Sequence, residues 1–156
     1  MFAFKTILCP TDFSEGSLQA LSTASDLAIT FGGEVYLMHV LPGKPSSVEA
    51  DVEANLPNFE RDVRAFAEKR MREIAEPLAA KGLRIRFTIT SGKAADEILH
   101  LAREAAADLI VIATHGETGW RHLAFGSVTE KVVRLAACPV LTIRMGATQR
   151  AATSAA

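Results

Sequence analysis

Several things are scarce in these 156 residues, and each scarcity narrows what the chain can be. There are only two cysteines, Cys9 and Cys138, each inside an apolar run; together with four scattered histidines they form no ligand-spaced cluster, so no dedicated zinc or iron site is expected. In a reducing compartment both thiols read as small buried hydrophobes. Neither sign of charge is in excess: 17 Lys+Arg stand against 18 Asp+Glu, a net charge of -1, which argues against a strongly basic face for nucleic acid or an anionic membrane. No stretch approaches the ~20 consecutive apolar residues of a membrane span, and Met1-Phe2-Ala3-Phe4-Lys5 lacks the charged-then-apolar order of a signal peptide. A cytoplasmic protein with no nucleic-acid or membrane partner is expected. Two phosphate signatures are also missing. No G-x-G-x-x-G follows the first apolar run, and Gly92-Lys93 has Phe87 where a Walker A loop needs its first glycine and Ala94 after the lysine.

What is present is an even alternation of short apolar runs and amphipathic stretches, with 49% of residues hydrophobic. The length suits one domain, and a domain of this size buries roughly 68–70% of its unfolded surface, so it needs neither metal nor disulfide. Ile7-Leu8-Cys9 leads into Leu18, Leu21, Ala24, Leu27, Ala28 and Phe31, a helical stripe closed by Gly32-Gly33. Val35 to Leu41 is a nearly continuous apolar strand. From Pro42 to Pro57 the composition turns to Pro, Gly, Ser and acids, a flexible loop. A helix through Phe59, Val63, Phe66, Ala67, Met71, Ile74 and Leu78 follows. Leu83, Ile85, Phe87 and Ile89 then alternate with polar residues, as in an edge strand with one wet face. After a helix through Ile98, Leu101 and Ala105 comes Leu109-Ile110-Val111-Ile112-Ala113, apolar on both faces and hence central. A short helix from about Ser127 to Ala136 and a last strand, Val140 to Ile143, complete the pattern.

The order is β-α-β-α-β-α-β-α-β, which predicts an α/β fold: a single three-layer domain with an open five-stranded parallel sheet and four helices. The domain is expected over residues 1–146, with the loop at about 42–57 and a disordered tail at 147–156. Such sheets bind ligands beyond the carboxyl ends of the strands where strand order reverses, here between the first strand and the fourth. Those ends carry Pro10-Thr11-Asp12-Phe13-Ser14 and Thr114-His115-Gly116, the latter running on to Gly126-Ser127-Val128-Thr129-Glu130 at a helix start. Free N–H groups and the positive dipole end at such a start suit a phosphate, and glycines let it approach.

Gly116, nine intervening residues, then Gly126-Ser127 resembles the nucleotide loop of the universal stress protein family, G-x2-G-x9-G-[S/T]. The resemblance extends to Ile7 through Ser14, to His39-Val40, and to Pro139 through Arg144. It implies a Rossmann-like, adenine nucleotide alpha hydrolase-like fold that binds ATP, with Mg²⁺ as a possible companion. It further implies that Asp12 and Val40 meet the adenine end beside Pro10 and Thr11. Ile112, Ala113, His115 and Gly116 would line the ribose and phosphate side, and Gly126, Ser127, Val128 and Thr129 would hold the phosphates. Asp12 can accept from an exocyclic amine, and the hydroxyls of Ser127 and Thr129 can donate to phosphate oxygens. The chain departs from the family pattern once, where Ala113 replaces the first loop glycine.

Structure alone explains part of this. Ser127 and Glu130 also spell a capping box, and Asp12 with Glu15 an N-cap for the first helix. His115 has no paired carboxylate or nucleophile, so no catalytic residue is assigned, and His39 reads as a packed residue beside the pocket. The expected function is an ATP-binding, homodimeric stress or signalling protein paired through Val140 to Ile143, its nucleotide acting on conformation with slow or no hydrolysis. Two alternatives stay open: a dimerising scaffold of the same fold that binds no nucleotide, favoured by Ala113, and a slow nucleotide hydrolase.

Overall fold

A computed structural model describes residues 4–43, 56–114 and 126–144; the central part of the expected loop, most of the glycine loop with His115 and Gly116, and the expected tail lie outside the described residues. Five strands and four helices alternate: β1 (Thr6–Pro10), α1 (Glu15–Phe31), β2 (Glu34–Pro42), α2 (Leu56–Ala80), β3 (Ile85–Gly92), α3 (Ala94–Glu104), β4 (Leu109–Ala113), α4 (Ser127–Leu135) and β5 (Val140–Ile143). All pairings are parallel, in the order β3-β2-β1-β4-β5. The chain winds outward from β1 to β3 and then restarts at β4, so the order reverses between β1 and β4, the two strands whose apolar runs marked them as central.

Alternation along the strands sends side chains to two separate cores. Ile7, Cys9, Val35, Leu37, Leu109, Val111 and Ala113 meet Ala20, Leu21 and Ala24 of α1 and Met71 of α2 on one face. Leu8, Met38, Ile110 and Ile112 meet Ile98, Leu101 and Ala102 of α3 and Val132 of α4 on the other. β4 is buried at all five residues, as its unbroken apolar run requires.

Local chemistry sets the ends. Gly32 closes α1 in the left-handed region at φ 61, and a Cβ on Gly33 would lie 2.2 Å from the Phe4 carbonyl, so only glycine fits there. At the amino end of the central pair, the Asp108 carboxylate accepts from the N–H groups of Lys5 (2.8 Å) and Thr6 (2.9 Å), tying the start of β1 to β4. Boundaries differ from the sequence reading in small ways. Pro42 ends β2, and α2 begins at Leu56, with Pro57 in its first turn where a missing N–H costs no helical bond. Leu83 precedes β3 instead of opening it, its N–H bonded to Leu78 (3.2 Å).

Candidate functional site

The two central strands are paired unequally along their length. β1 pairs with β2 from Thr6↔Glu34 to Pro10↔Met38, and Thr11 N–H extends that ladder to the Met38 carbonyl at 2.7 Å. Its ladder with β4 stops after Ile7↔Leu109 and Leu8↔Ile110. β4 itself continues against β5 to Ala113↔Ile143, and Thr114 N–H reaches the Ile143 carbonyl at 2.9 Å. Pro10 is the physical reason. Backbone groups along a parallel strand face its two neighbours alternately; those of Thr6 face β4, where its carbonyl accepts from Asp108, and those of Thr11 face β2. The N–H that Pro10 lacks is therefore the next one β1 would have offered to β4. Beyond Leu8 and Ile110 the strands share no ladder, and the gap opens at the carboxyl ends where the strand order reverses.

One wall of this gap is the β1–α1 loop. Thr11 is 5% exposed; its hydroxyl lies 2.9 Å from the Ser17 hydroxyl and accepts from Phe13 N–H (3.0 Å), and its carbonyl is 2.8 Å from His39 Nδ1. Asp12 is half-buried and accepts through Oδ1 from Ser14 N–H at 3.0 Å and from the Ser14 hydroxyl. The expected N-cap at Asp12 is corrected: Ser14 caps α1, its hydroxyl accepting from Ser17 N–H at 3.3 Å, while Asp12 orients Ser14 from outside the helix. Val40 is half-buried on β2 in the α3/α4 core.

The other wall joins β4 to α4. The Thr114 carbonyl accepts from Gly126 N–H at 2.8 Å, and the Ala113 carbonyl accepts from the buried Thr129 hydroxyl at 2.7 Å, so two consecutive carbonyls clamp the first turn of α4. Gly126 is the N-cap, since its carbonyl takes Glu130 N–H at 2.9 Å, and among the described residues no side chain caps this end. The capping box expected from Ser127 and Glu130 is thus corrected: the cap lies one residue earlier, on a glycine without a side chain, and Ser127, already helical and exposed, does not cap. Gly126 needs no left-handed backbone (φ -71, ψ 158), and a Cβ there would lie 3.4 Å from the Thr114 carbonyl. Its own fold gives little reason for a glycine.

The expected residues divide by what they present. Pro10, Thr11, Asp12, Gly126, Ser127, Val128 and Thr129 flank the carboxyl ends of β1 and β4. Ile112 and Ala113 are 5% and 8% exposed, with side chains in the α3/α4 and α1/α2 cores respectively, so they offer the gap mainly backbone. Thr129 spends its proton on Ala113, which makes it a brace for α4. Sequence reasoning passed over Thr114, a buried polar residue directly after an all-apolar strand, and Phe13. Cys9 lies one residue before Pro10, but complete burial pushes its thiol up to about 12 and keeps it neutral. Among the described residues no three His, Cys, Asp or Glu side chains converge on a metal position, and no helix is long and apolar enough to cross a membrane.

The model of the universal stress protein family matches residues 3–144, nearly the whole chain. The chain belongs to the universal stress protein family. It is 34% identical over 143 residues to universal stress protein G of Escherichia coli O157:H7, covering 90% of this chain and 99% of that one. The solved structure of MJ0577, a universal stress protein of Methanocaldococcus jannaschii, has a TM-score of 0.80 at 29% identity, covering 92% of this chain and 97% of that chain. A universal stress protein from Archaeoglobus fulgidus in complex with dAMP has the same fold, with a TM-score of 0.63 at 23% identity over 92% and 99% of the two chains. The universal stress protein described here has their Rossmann-like α/β architecture, and the gap between β1 and β4 is where that architecture admits ligands.

Proposed function

We propose that this universal stress protein binds an adenine nucleotide, ATP foremost, at the carboxyl ends of β1 and β4, and that the ligand acts on conformation in a cytoplasmic stress response or signalling role. The observation that carries the reading is the end of the β1–β4 ladder at Pro10, beside a helix N-terminus that no side chain among the described residues caps. An open N-terminus favours an anion through its N–H groups and dipole without any excess of Lys or Arg, which suits a chain of net charge -1. Asp12, Val40, Pro10 and Thr11 take the adenine side on this reading. Gly126, Ser127, Val128 and Thr129 take the phosphate side, Thr129 through its backbone N–H, with His115 and Gly116 between them and the backbone of Ile112 and Ala113. Ser127 offers a hydroxyl to a phosphate or to a Mg²⁺ that accompanies it. That a relative has been solved with dAMP supports an adenine ligand.

Homodimerisation belongs to the same proposal. Among the described residues β5 ends the sheet and one side of it has no strand partner, and Leu141 on β5 and Val133 and Leu135 on α4 are exposed apolar residues. Light scattering of the purified protein is expected to give twice the chain mass, and Leu141→Lys to give the monomer.

The nucleotide is tested by denaturing freshly purified protein and assaying the released small molecules, together with the melting temperature with and without ATP. Ligand at a hundred times its Kd adds about 2.7 kcal/mol, a rise of roughly 5–10 °C for a domain of this size. Repeated absence of adenine nucleotide, with no ATP-induced rise, refutes the reading and leaves a dimerising scaffold.

A further inference from the structure

We infer that His39 is a positioning residue for the nucleotide site: it holds the β1–α1 loop in the conformation that presents Asp12. The inference rests on the nucleotide reading above. Phe13, next to Asp12, sits at φ 68, in the left-handed region that L-residues avoid; among the described residues only Ala106 (φ 47) is another non-glycine there. Something must hold it. The Phe13 ring stacks on the His39 imidazole, centroids 4.3 Å apart and planes 28° apart, and the Arg70 guanidinium of α2 lies 5.8 Å from the same ring centre. His39 Nδ1 is 2.8 Å from the Thr11 carbonyl, and because a carbonyl can only accept, Nδ1 carries the proton. One side chain of β2 thus grips both residues flanking Asp12, the ring of Phe13 by its face and the backbone of Thr11 by its edge. Within the loop, Phe13 N–H to the Thr11 hydroxyl and Ser14 N–H to Asp12 complete the turn. Packing alone asks for an aromatic ring at position 39. The hydrogen bond to the carbonyl just before Asp12 asks for a donor at Nδ1, and that distinguishes positioning from filling.

The 156-residue chain is compared with His39→Phe, which keeps a ring and removes the donor, and with His39→Asn, whose Nδ2 takes the place of imidazole Nδ1 without the ring. ATP and dAMP affinities are measured by calorimetry below the melting temperature of each variant, and backbone amide spectra of ligand-free protein report the Asp12–Ser14 turn. His39→Phe is expected to bind roughly fivefold to tenfold more weakly and to shift the Ser14 amide. His39→Asn, which keeps the donor and loses the stack on Phe13, is expected to bind more tightly than His39→Phe and more weakly than wild type. If His39→Phe does not fold, His39→Leu, which likewise has no donor, replaces it with the same expectation. A donor-lacking variant that binds like wild type, or His39→Asn as weak as His39→Phe, overturns the inference. If the wild-type protein binds no adenine nucleotide the functional reading fails, and the ligand-free spectra still decide the positioning: an unmoved Ser14 amide in His39→Phe refutes it.

Discussion

Replacing Gly126 separates what the fold needs from what a ligand would need. At φ -71 and ψ 158 the backbone is open to any residue, and a Cβ would stand 3.4 Å from the Thr114 carbonyl, at the near edge of ordinary contact. Alanine caps a helix less well than glycine, at a cost of up to about 1 kcal/mol, while loss of unfolded-chain freedom returns about 0.4–1 kcal/mol. The ligand-free stability of Gly126→Ala should therefore change by about 0.5 kcal/mol or less, under roughly 2 °C in melting temperature. Binding should respond differently, because that Cβ stands beside the carboxyl end of β4, where a phosphate on the α4 N–H groups would pass. Charge-assisted bonds of about 2.7–2.9 Å do not survive displacement by a methyl group, and each is worth about 1.5–3 kcal/mol. Gly126→Ala is expected to weaken ATP about tenfold, and Gly126→Val, with two further methyls, at least about a hundredfold. Calorimetric titration measures the affinities and thermal unfolding without nucleotide provides the control. A folded Gly126→Val that binds within about threefold of wild type would remove the phosphate from this helix start. A fall of more than about 5 °C in Gly126→Ala would show that the glycine serves the fold after all.

Thr129→Val keeps the shape but deprives the buried Ala113 carbonyl of its donor, and should cost about 1–3 kcal/mol in denaturant unfolding, whereas Thr129→Ser should cost under about 1.5 kcal/mol; equal losses would refute the brace. Phe13→Gly relieves the left-handed backbone while Phe13→Ala does not, so although both lose the stack on His39, the alanine variant should be less stable by about 1 kcal/mol; the reverse order would mean that φ 68 carries no strain. Cys9 is held neutral to about 12 against an ordinary 9.0. Its folded-state pKa is raised, so its contribution is fully present below pH 9 and is lost as pH rises toward 12, with a slope of up to about 1.4 kcal/mol per pH unit. Denaturant midpoints from pH 8 to 11 should show that slope in wild type and a shallower one in Cys9→Ala; identical slopes would refute the assignment.

What could be read from the residues is what depends on periodicity. The unbroken run Leu109 to Ala113 announced a strand covered on both faces, and the alternation from Leu83 announced the edge position of β3, although its polar face is wet only at Arg84 and Arg86 and half-buried at Thr88 and Thr90. The end of the β1–β4 ladder was latent in Pro10, a residue without an N–H in a central strand. The failures lie where carbonyls choose their partners. Gly126 became the cap because its carbonyl reached Glu130 N–H, which nothing in Ser127-Val128-Thr129-Glu130 discloses. Thr129 looked like a phosphate donor until Ala113 claimed its proton, a contact spanning 16 residues. The His39 bond to Thr11 spans 28, and Phe13 carries no mark of its left-handed backbone because it is not glycine.

The same geometry bears on the one departure from the family's loop. Ala113 stands where the first loop glycine is expected, and read as a letter it favours a protein that binds no nucleotide. In the fold, residues 109, 111 and 113 of β4 point to one face and 110 and 112 to the other, so the methyl of Ala113 packs in the α1/α2 core with Cys9, Val111 and Ile143. Residue 113 is strand backbone, with no left-handed φ that would demand glycine, and its carbonyl is committed to Thr129. A methyl there fills core space and leaves the backbone edge of β4 unchanged. If nucleotide binding fails in this protein, the cause must then be sought where a side chain would meet the ligand, at Asp12 on the β1–α1 loop or Ser127 at the α4 N-terminus. Ala113→Gly, which removes only a core methyl, should not raise affinity.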